Sequence, residues 1–271
     1  SCAVTYESGR QRQDVWSKRT WEVPGKDAGT GEPVRFSKSQ SAELANKNAL
    51  ESLTNNAERD KIKSEYTPAT QEEIQQFIES MESLGFTSVT GFEQFTERAS
   101  LLQEITEDFK KVHADFPEVF PSIHLSFGEL DKDVYAQYNI ETKILVLNSL
   151  FYNDLDYYIS DYNRQVGKKF HPEGTDYRAT VYHEMGHAVE DFYKIHLKRF
   201  AQQLYLETHN GFFNRKLGDN WIENGLSIYA SLGHYGDFIA EAIGEYYNSK
   251  SPRELCKLVY NNIMEIRRNA I

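Results

Sequence analysis

Residues 181–192 read VYHEMGHAVEDF, and this stretch determines the fold that we predict. Each residue of an α-helix turns by about 100°, so His183 and His187 lie within about 40° of each other on one face. Both imidazoles can then reach one tetrahedral cation. Glu184 is displaced by one step, where its carboxylate can take a proton from a water that the metal activates. The stretch therefore predicts a helix that carries two metal ligands and a general base.

The flanks of this motif predict a buried helix. Its apolar stripe consists of Val181, Ala188, Val189 and Phe192. Gly186 has no side chain, which leaves room for another backbone or a substrate to approach closely. The helix is predicted to begin near Thr175 or Asp176 and to end near Leu197.

A third metal ligand has to come from another segment, because catalytic zinc sites normally use three protein ligands and a water. Downstream, Asp237, Glu241 and Glu245 follow at four-residue intervals and share one helical face. One carboxylate can bind the metal and the next can orient a histidine. Either Asp237 is the ligand with Glu241 behind it, or Glu241 is the ligand with Glu245 behind it. Taken alone, the three carboxylates also fit a solvated acidic face.

The remaining patterns predict helices on both sides of a small sheet. A capping box of Thr70 and Glu73 begins one helix, which ends near Leu84, and a second runs from Gly91 or Phe92 to Val112. The predicted strands are 122–127, 135–139 and 143–148. The segment 150–178 is rich in Tyr and Asp and is interpreted as a loop. Further helices are predicted at 200–206, 221–229, 237–247 and 252–268.

These elements indicate an α+β domain with a small mixed or antiparallel sheet and a C-terminal set of helices. Residues 1–65 are polar, contain a Gly- and Pro-rich stretch at 23–36 and lack a sustained apolar period. We interpret them as an extended or irregular N-terminal arm. The domain is predicted to span residues 66–271.

Composition excludes several classes of partner. The 271 residues carry a net charge of -11, which repels phosphate backbones, so we expect no nucleic-acid partner. No apolar run approaches the roughly 18 to 20 residues that a membrane span needs, so we expect no membrane partner. The compartment itself is not indicated. The first residues lack the order of a signal peptide, which favours a cytoplasmic or virion-associated protein over a secreted one.

The two motifs together resemble the gluzincin-type peptidases related to anthrax lethal factor and the bacterial Pro-Pro endopeptidases, a group with related domains in phage head proteins. That family reads HEFGH, then a Tyr, then a Glu ligand within E-x-F-A-E. This chain has HEMGH at 183–187 and DFIAE at 237–241, and the resemblance covers roughly residues 120–265. It implies a zincin-like metallopeptidase domain that binds Zn²⁺. The ligands would be His183, His187 and Asp237, with Glu184 as the base and Glu241 behind a histidine.

Two positions differ from the family pattern. Asp237 stands where the family has Glu, so its helix has to come closer by about one methylene. Tyr229 is one residue further from the ligand position than the family's catalytic Tyr, and Tyr235 is much nearer to it. Either tyrosine is a candidate to steady the oxyanion. We would also examine His234, because it lies close to Asp237 in the sequence.

Two functions are consistent with these residues. The first is a zinc-dependent endopeptidase that acts on peptides or proteins, with an edge strand at 143–148 or its neighbour pairing with the extended substrate. As a plain core strand, 143–148 would need no such role. The second is a weak or inactive peptidase-like module of a phage head or another assembly, which would bind partners through the arm of residues 1–65.

Overall fold

The computed structural model describes residues 67–207, 218, 220–232 and 236–270. These residues belong to one compact unit that begins at Thr67. The predicted N-terminal arm of residues 1–65 lies outside the described residues, and so do His234 and Tyr235.

The described elements mix helices with a few short strands. The strands are β1 (Ser88–Thr90), β2 (His124–Gly128), β3 (Ala136–Asn139) and β4 (Ile144–Asn148). The α-helices are α1 (Gln71–Ser83), α2 (Ala99–Asp115), α3 (Ser149–Tyr152), α4 (Leu155–Gly167), α5 (Ala179–Phe192), α6 (Leu197–Glu207), α7 (Trp221–Gly225), α8 (Ile228–Ser231), α9 (Phe238–Asn248) and α10 (Glu254–Ala270). The prediction of an α+β domain with a small sheet is confirmed.

The four strands form one mixed sheet in the order β1-β2-β4-β3. The pairs β1/β2 and β2/β4 are parallel, whereas β3 runs antiparallel to β4 and forms an edge. The sequence predicted that residues 143–148 or the neighbouring strand form the edge of the sheet. In the structure, β4 is interior and its neighbour β3 is the edge strand. Strand β1 was not predicted, because three residues are too few to show an alternating pattern.

One face of the sheet is buried and supports the central helices. Leu125 and Phe127 of β2 alternate with half-exposed neighbours, as do Leu145 and Leu147 of β4. The period of two places these buried side chains on the same face. Helix α5 packs near β3 and against α9. The sheet and the two helices thus form the layers that hold the predicted motif.

Glycine allows α5 and α9 to approach each other closely. A Cβ atom built on Gly186 would lie 2.7 Å from the Cα atom of Ala240 in α9. Such a distance is shorter than any ordinary van der Waals contact between carbon atoms. On the facing helix, a Cβ atom on Gly244 would lie 3.4 Å from the carbonyl oxygen of Ala179. The expectation that Gly186 makes room for another backbone is confirmed, and that backbone belongs to α9.

A buried ion pair fixes the start of α5 against α2. Arg178 donates from Nε to both carboxylate oxygens of Asp108, at 3.2 and 3.0 Å, and Tyr182 donates its hydroxyl to the same carboxylate. Burial raises the pKa of Asp108, although the hydrogen bonds from Arg178 and Tyr182 oppose this rise. Three donors satisfy a carboxylate that is 1% exposed, which makes this burial tolerable.

The first helix agrees with its prediction, whereas the second begins later than predicted. The capping box of Thr70 and Glu73 is present, and α1 ends at Ser83 as predicted. Helix α2 begins at Ala99, so the predicted start at Gly91 or Phe92 is wrong. Gly91 adopts a left-handed φ of 83°, and a Cβ atom there would lie 2.1 Å from the carbonyl oxygen of Phe127. Phe92–Gln94 after it forms a separate 3-10 turn, and Phe95 is extended with φ -71° and ψ 127°, so this turn does not continue into α2.

The interpretation of 150–178 as a loop is wrong, because this segment contains most of α3 and all of α4. Asp154 caps α4 by accepting a hydrogen bond from the amide of Tyr157 at 3.3 Å. Leu155, Tyr158 and Tyr162 are buried at helical spacing. The apolar face of α4 consists largely of tyrosines, which made the segment look polar.

Two of the later helices differ from their predictions in length or continuity. Helix α5 spans 14 residues and ends at Phe192 instead of near Leu197, and Lys194 just beyond it has a φ of 54°. The single helix predicted at 221–229 is divided into α7 and α8. Ser227 lies at the break and caps α8. Among the described residues, no helix has the length and apolar character to cross a bilayer.

Candidate metal centre

Three predicted ligands converge where α5 meets the start of α9. Oδ1 of Asp237 lies 3.2 Å from Nε2 of His187 and 3.6 Å from Nε2 of His183. One ligand atom from each of the three residues lies within 4.8 Å of the others. The structure thus brings together side chains that are about fifty residues apart in the sequence.

The secondary structure explains this convergence. His183 and His187 follow each other by one turn of α5, with ring centroids 4.9 Å apart. Asp237 is the residue just before α9 and presents its carboxylate from the end of that helix. The close packing at Gly186 draws α9 towards α5, which compensates for the short side chain of Asp237.

Charge pairing holds these three groups in their ionised forms when no metal is bound. Burial lowers the pKa of His187, but the nearby carboxylates of Asp237 and Glu190 outweigh burial and raise it to about 9. Burial would likewise lower the pKa of His183, but the nearby carboxylate of Asp237 and the hydrogen bond to Glu241 raise it. Burial alone would raise the pKa of Asp237, but the two histidines lower it.

Glu241 lies behind the first histidine. Its Oε1 is 2.9 Å from Nδ1 of His183, and its Oε2 accepts a hydrogen bond of 2.7 Å from Oγ of Ser227. Burial would raise the pKa of this carboxyl, but His171 and His183 lower it to about 2. A carboxylate at Nδ1 fixes the ring so that Nε2 is directed towards the shared position.

Of the two ligand assignments that the sequence left open, this arrangement corresponds to the one with Asp237 in the ligand group and Glu241 behind it. Glu245, which the other assignment places behind Glu241, instead pairs with Arg253. The guanidinium donates to Glu245 and also to the carbonyl oxygen of Leu226 at 2.6 Å. Glu245 therefore joins α9 to the start of α10.

His187 also has a carboxylate on its second nitrogen. Oε2 of Glu190 lies 3.8 Å from Nδ1 of His187, three residues along the same helix. Both histidines of the group thus have their Nδ1 side facing a glutamate and their Nε2 side facing Asp237. Such pairs orient metal-binding imidazoles and make them more basic.

Glu184 points from α5 towards the edge strand. Its Oε2 accepts a hydrogen bond of 2.6 Å from the main-chain amide of Tyr138 in β3, and the residue is 6% exposed. This contact fixes one carboxylate oxygen beside the histidine pair. Sequence reasoning identified Glu184 but not its partner, because the two residues are 46 positions apart.

Tyr229 lies against the first histidine. Its ring centroid is 5.7 Å from that of His183 with an interplanar angle of 14°, and Phe170 stacks on the same tyrosine at 5.1 Å. The tyrosine is half-buried. Of the two candidate tyrosines, Tyr229 therefore lies beside the group of His183, His187 and Asp237. Tyr235 and His234 lie outside the described residues.

Sequence reasoning missed three residues around the group. Nδ1 of His171 lies 3.4 Å from Oε1 of Glu241, and its ring stacks on Tyr162 at 4.8 Å. Ser227 donates its hydroxyl to Oε2 of the same carboxylate. Nothing local to either residue indicates its contact with Glu241. Glu190 is different, because its spacing of three residues from His187 could have identified it.

The donor set fits a zinc ion. Two imidazole nitrogens and a carboxylate oxygen, with a fourth position for water, form a ligand set found in catalytic zinc sites. Bonds of about 2.1 Å in a tetrahedron place neighbouring ligand atoms about 3.4 Å apart. The distances of 3.2 and 3.6 Å from Asp237 to the two histidines lie on either side of that value.

Comparisons with known proteins do not identify the chain. No protein-family model matches it, and no curated protein or solved structure shows a significant match.

Proposed function

We propose that this protein is a zinc-dependent endopeptidase with a zincin-like fold. The observation that carries the proposal is the convergence of His183, His187 and Asp237 on one point, with Glu184 buried beside them. The resemblance of the two motifs to gluzincin-type peptidases supports the same conclusion. The carboxylates of Glu241 and Glu190 on the Nδ1 sides of the two rings are the kind of partner that orients metal-binding imidazoles.

A zinc ion held by these three residues would supply Lewis acidity to a water and to the scissile carbonyl. Glu184 then acts as the general base. Its Oε2 is held by the amide of Tyr138, which leaves Oε1 to take a proton from the attacking water. The carboxylic acid returns this proton to the nitrogen of the leaving amine as the peptide C–N bond breaks.

The substrate would bind as an additional strand along β3. Asn148 donates to the carbonyl oxygen of Tyr135 at 3.0 Å, so Tyr135 directs its main-chain groups towards β4. Hydrogen-bonded and non-hydrogen-bonded pairs alternate in an antiparallel ladder. The main-chain groups of Ala136 and Tyr138 therefore point away from β4. Because the amide of Tyr138 donates to Glu184, an extended peptide would pair with the main-chain groups of Ala136 and with the carbonyl oxygen of Tyr138. This edge lies beside Glu184, so a bound peptide would pass the catalytic group.

Tyr229 is the candidate to stabilise the oxyanion. Its ring lies beside His183. Tyr229 belongs to α8, which packs against α9. A phenolic hydroxyl in this region can donate a hydrogen bond to the charge that develops on the scissile carbonyl oxygen. Tyr229→Phe tests this role, because it removes only the hydroxyl.

The substitution Glu184→Gln tests the proposed function. We expect the variant to bind zinc as the wild type does and to lose cleavage of a peptide library by at least about a hundredfold, because a general base contributes 10² to 10⁴. Zinc content is measured by elemental analysis and cleavage by mass spectrometry. Glu265→Gln is a suitable control, since it makes the same change at an exposed glutamate of α10. A wild-type protein that takes up no zinc would refute the mechanism.

A peptidase-like binding module is the second candidate, and Asp237 at the position of the family's Glu favours it. Zinc uptake without cleavage by the wild type would be the result that supports this candidate. In that case, a variant without residues 1–65 is expected to lose binding to assembly partners.

A further inference from the structure

Tyr138 contacts the active-site helix at two points. Its amide donates to Oε2 of Glu184 at 2.6 Å, and its hydroxyl donates to Oδ2 of Asp191 at 2.9 Å. The two acceptors are seven residues apart, which is about two turns of α5, so they lie on the same helical face. One residue of the edge strand thus joins the proposed base to the last turn of the helix.

Asp191 also holds the far end of the β3–β4 hairpin. Its carboxylate pairs with Nζ of Lys143, which directly precedes β4. The side chain of Asp191 is 8% exposed, whereas that of Lys194, a second partner at 3.0 Å, is 75% exposed. Burial would raise the pKa of Asp191, but the bonds from both lysines and from Tyr138 lower it. The carboxylate is therefore an ionised acceptor with two partly buried partners on the hairpin.

The hairpin itself is a stiff unit. Oδ1 of Asn139 accepts hydrogen bonds of 2.9 Å from the amides of Glu141 and Thr142. The amide of Lys143 donates to the carbonyl oxygen of Asn139 at 2.8 Å, and Lys143 has a left-handed φ of 59°. Because hydrogen bonds close the turn in this way, the interactions of Asp191 with Lys143 and with the hydroxyl of Tyr138 fix the position of the whole of β3.

We propose that Asp191 is a positioning residue, which holds the edge strand through Tyr138 and Lys143 so that the amide of Tyr138 orients the carboxylate of Glu184. This inference rests on the proposed function. It assigns Asp191 a role in aligning the substrate-binding strand with the base, although its side chain touches neither substrate nor metal.

Loss of the hydrogen bond between the amide of Tyr138 and Glu184 changes the orientation of the proposed base. Without the hydrogen bond from the amide of Tyr138, the Glu184 carboxylate can rotate about its last side-chain torsion. The energy profile of this torsion is broad and roughly two-fold. Oε1 is then directed at the water for only part of the time. A general base contributes 10² to 10⁴ to the rate, so partial loss of its orientation is expected to lower kcat about tenfold. The three metal ligands are not involved, so zinc affinity stays the same.

Two substitutions weaken the interaction of Asp191 with the hairpin, each at a different partner. Tyr138→Phe deletes the hydroxyl and keeps the amide and the ring, and Asp191→Asn removes the charge that binds Lys143. Both are expected to lower kcat about tenfold, with KM changed less than about threefold and zinc content unchanged. Lys194→Met is the matched control, because it removes an exposed partner of the same carboxylate and is expected to keep the wild-type kcat. A purely structural role would instead lower zinc content and the folded fraction together.

Amide hydrogen exchange tests the inference without any substrate. The amide of Tyr138 is expected to exchange at least about tenfold faster in Tyr138→Phe and Asp191→Asn, while that of Leu145 in interior strand β4 keeps its wild-type rate. Wild-type exchange at residue 138 in both variants would overturn the proposal, as would a wild-type kcat in both. If the wild type cleaves no peptide, the proposed function fails, whereas exchange at Tyr138 still decides whether Asp191 positions Glu184.

Discussion

The substitution Gly186→Ala gives the sharpest test of how the fold builds the metal centre. A methyl group on Gly186 would lie 2.7 Å from the Cα atom of Ala240, and ordinary contacts begin near 3.4 Å. The backbone of α9 would thus have to withdraw by about 0.7 Å, since no flexible side chain separates the two helices at this point. Asp237 and Glu241 move with α9, because Asp237 directly precedes the helix and Glu241 lies on its first turn.

Two losses are expected from this displacement. Overpacking of a buried contact by one methyl group typically destabilises a protein by about 1 to 3 kcal/mol. In addition, Oδ1 of Asp237 lies 3.2 Å from Nε2 of His187, and a metal site tolerates shifts of only about 0.2 Å in its bonds. A displacement of about 0.7 Å exceeds that tolerance, so zinc affinity should fall by at least about tenfold.

Urea unfolding of the metal-free protein and zinc competition with a chromophoric chelator measure the two effects separately. Gly167→Ala is the matched control, because Gly167 also lies in a helix and a Cβ atom there meets nothing within 4 Å. This control should be neutral or slightly stabilising, since Ala is the better helix former. Gly186→Ala with wild-type stability and zinc affinity would refute the view that helix approach positions Asp237.

Two further predictions concern the electrostatics of the site. The pKa of His187 is raised to about 9 in the metal-free protein, so the ring carries a proton at pH 7 that zinc has to displace. Calorimetry in buffers of different ionisation enthalpy should detect at least one proton released. Zinc affinity should rise about tenfold from pH 7 to 8 and less steeply as the pH approaches the pKa of about 9; binding that is independent of pH in this range would contradict the shift. Ser227→Ala removes the 2.7 Å hydrogen bond to Glu241, so the carboxylate behind His183 loses its orientation. Zinc affinity is expected to fall about tenfold in this variant. Ser231→Ala is the control, because the hydroxyl of Ser231 donates to the main-chain carbonyl oxygen of Ile228 in the same short helix.

Local patterns predicted those parts of the fold whose signal lies within one element. The spacing of His183 and His187 fixes their common face because both belong to one helix, and the capping box of Thr70 and Glu73 similarly fixes the start of α1. Helix α4 was missed, since its buried face is made of tyrosines whose hydroxyls find partners only in the folded protein. Tyr162, for example, shares a hydrogen bond with Thr175.

The sequence by itself determined the histidine pair, the adjacent glutamate, the candidate carboxylates and the mixed nature of the domain. Only the tertiary structure brought Asp237 close to the Nε2 atoms of both histidines and Glu241 to Nδ1 of His183, because these distances depend on how closely α9 packs against α5. The partners of Glu184 and Glu241 were likewise decided by tertiary contacts, at separations of 46 and 14 residues. Periodicity describes how one element presents its side chains, whereas a site built from three elements depends on the distances between them.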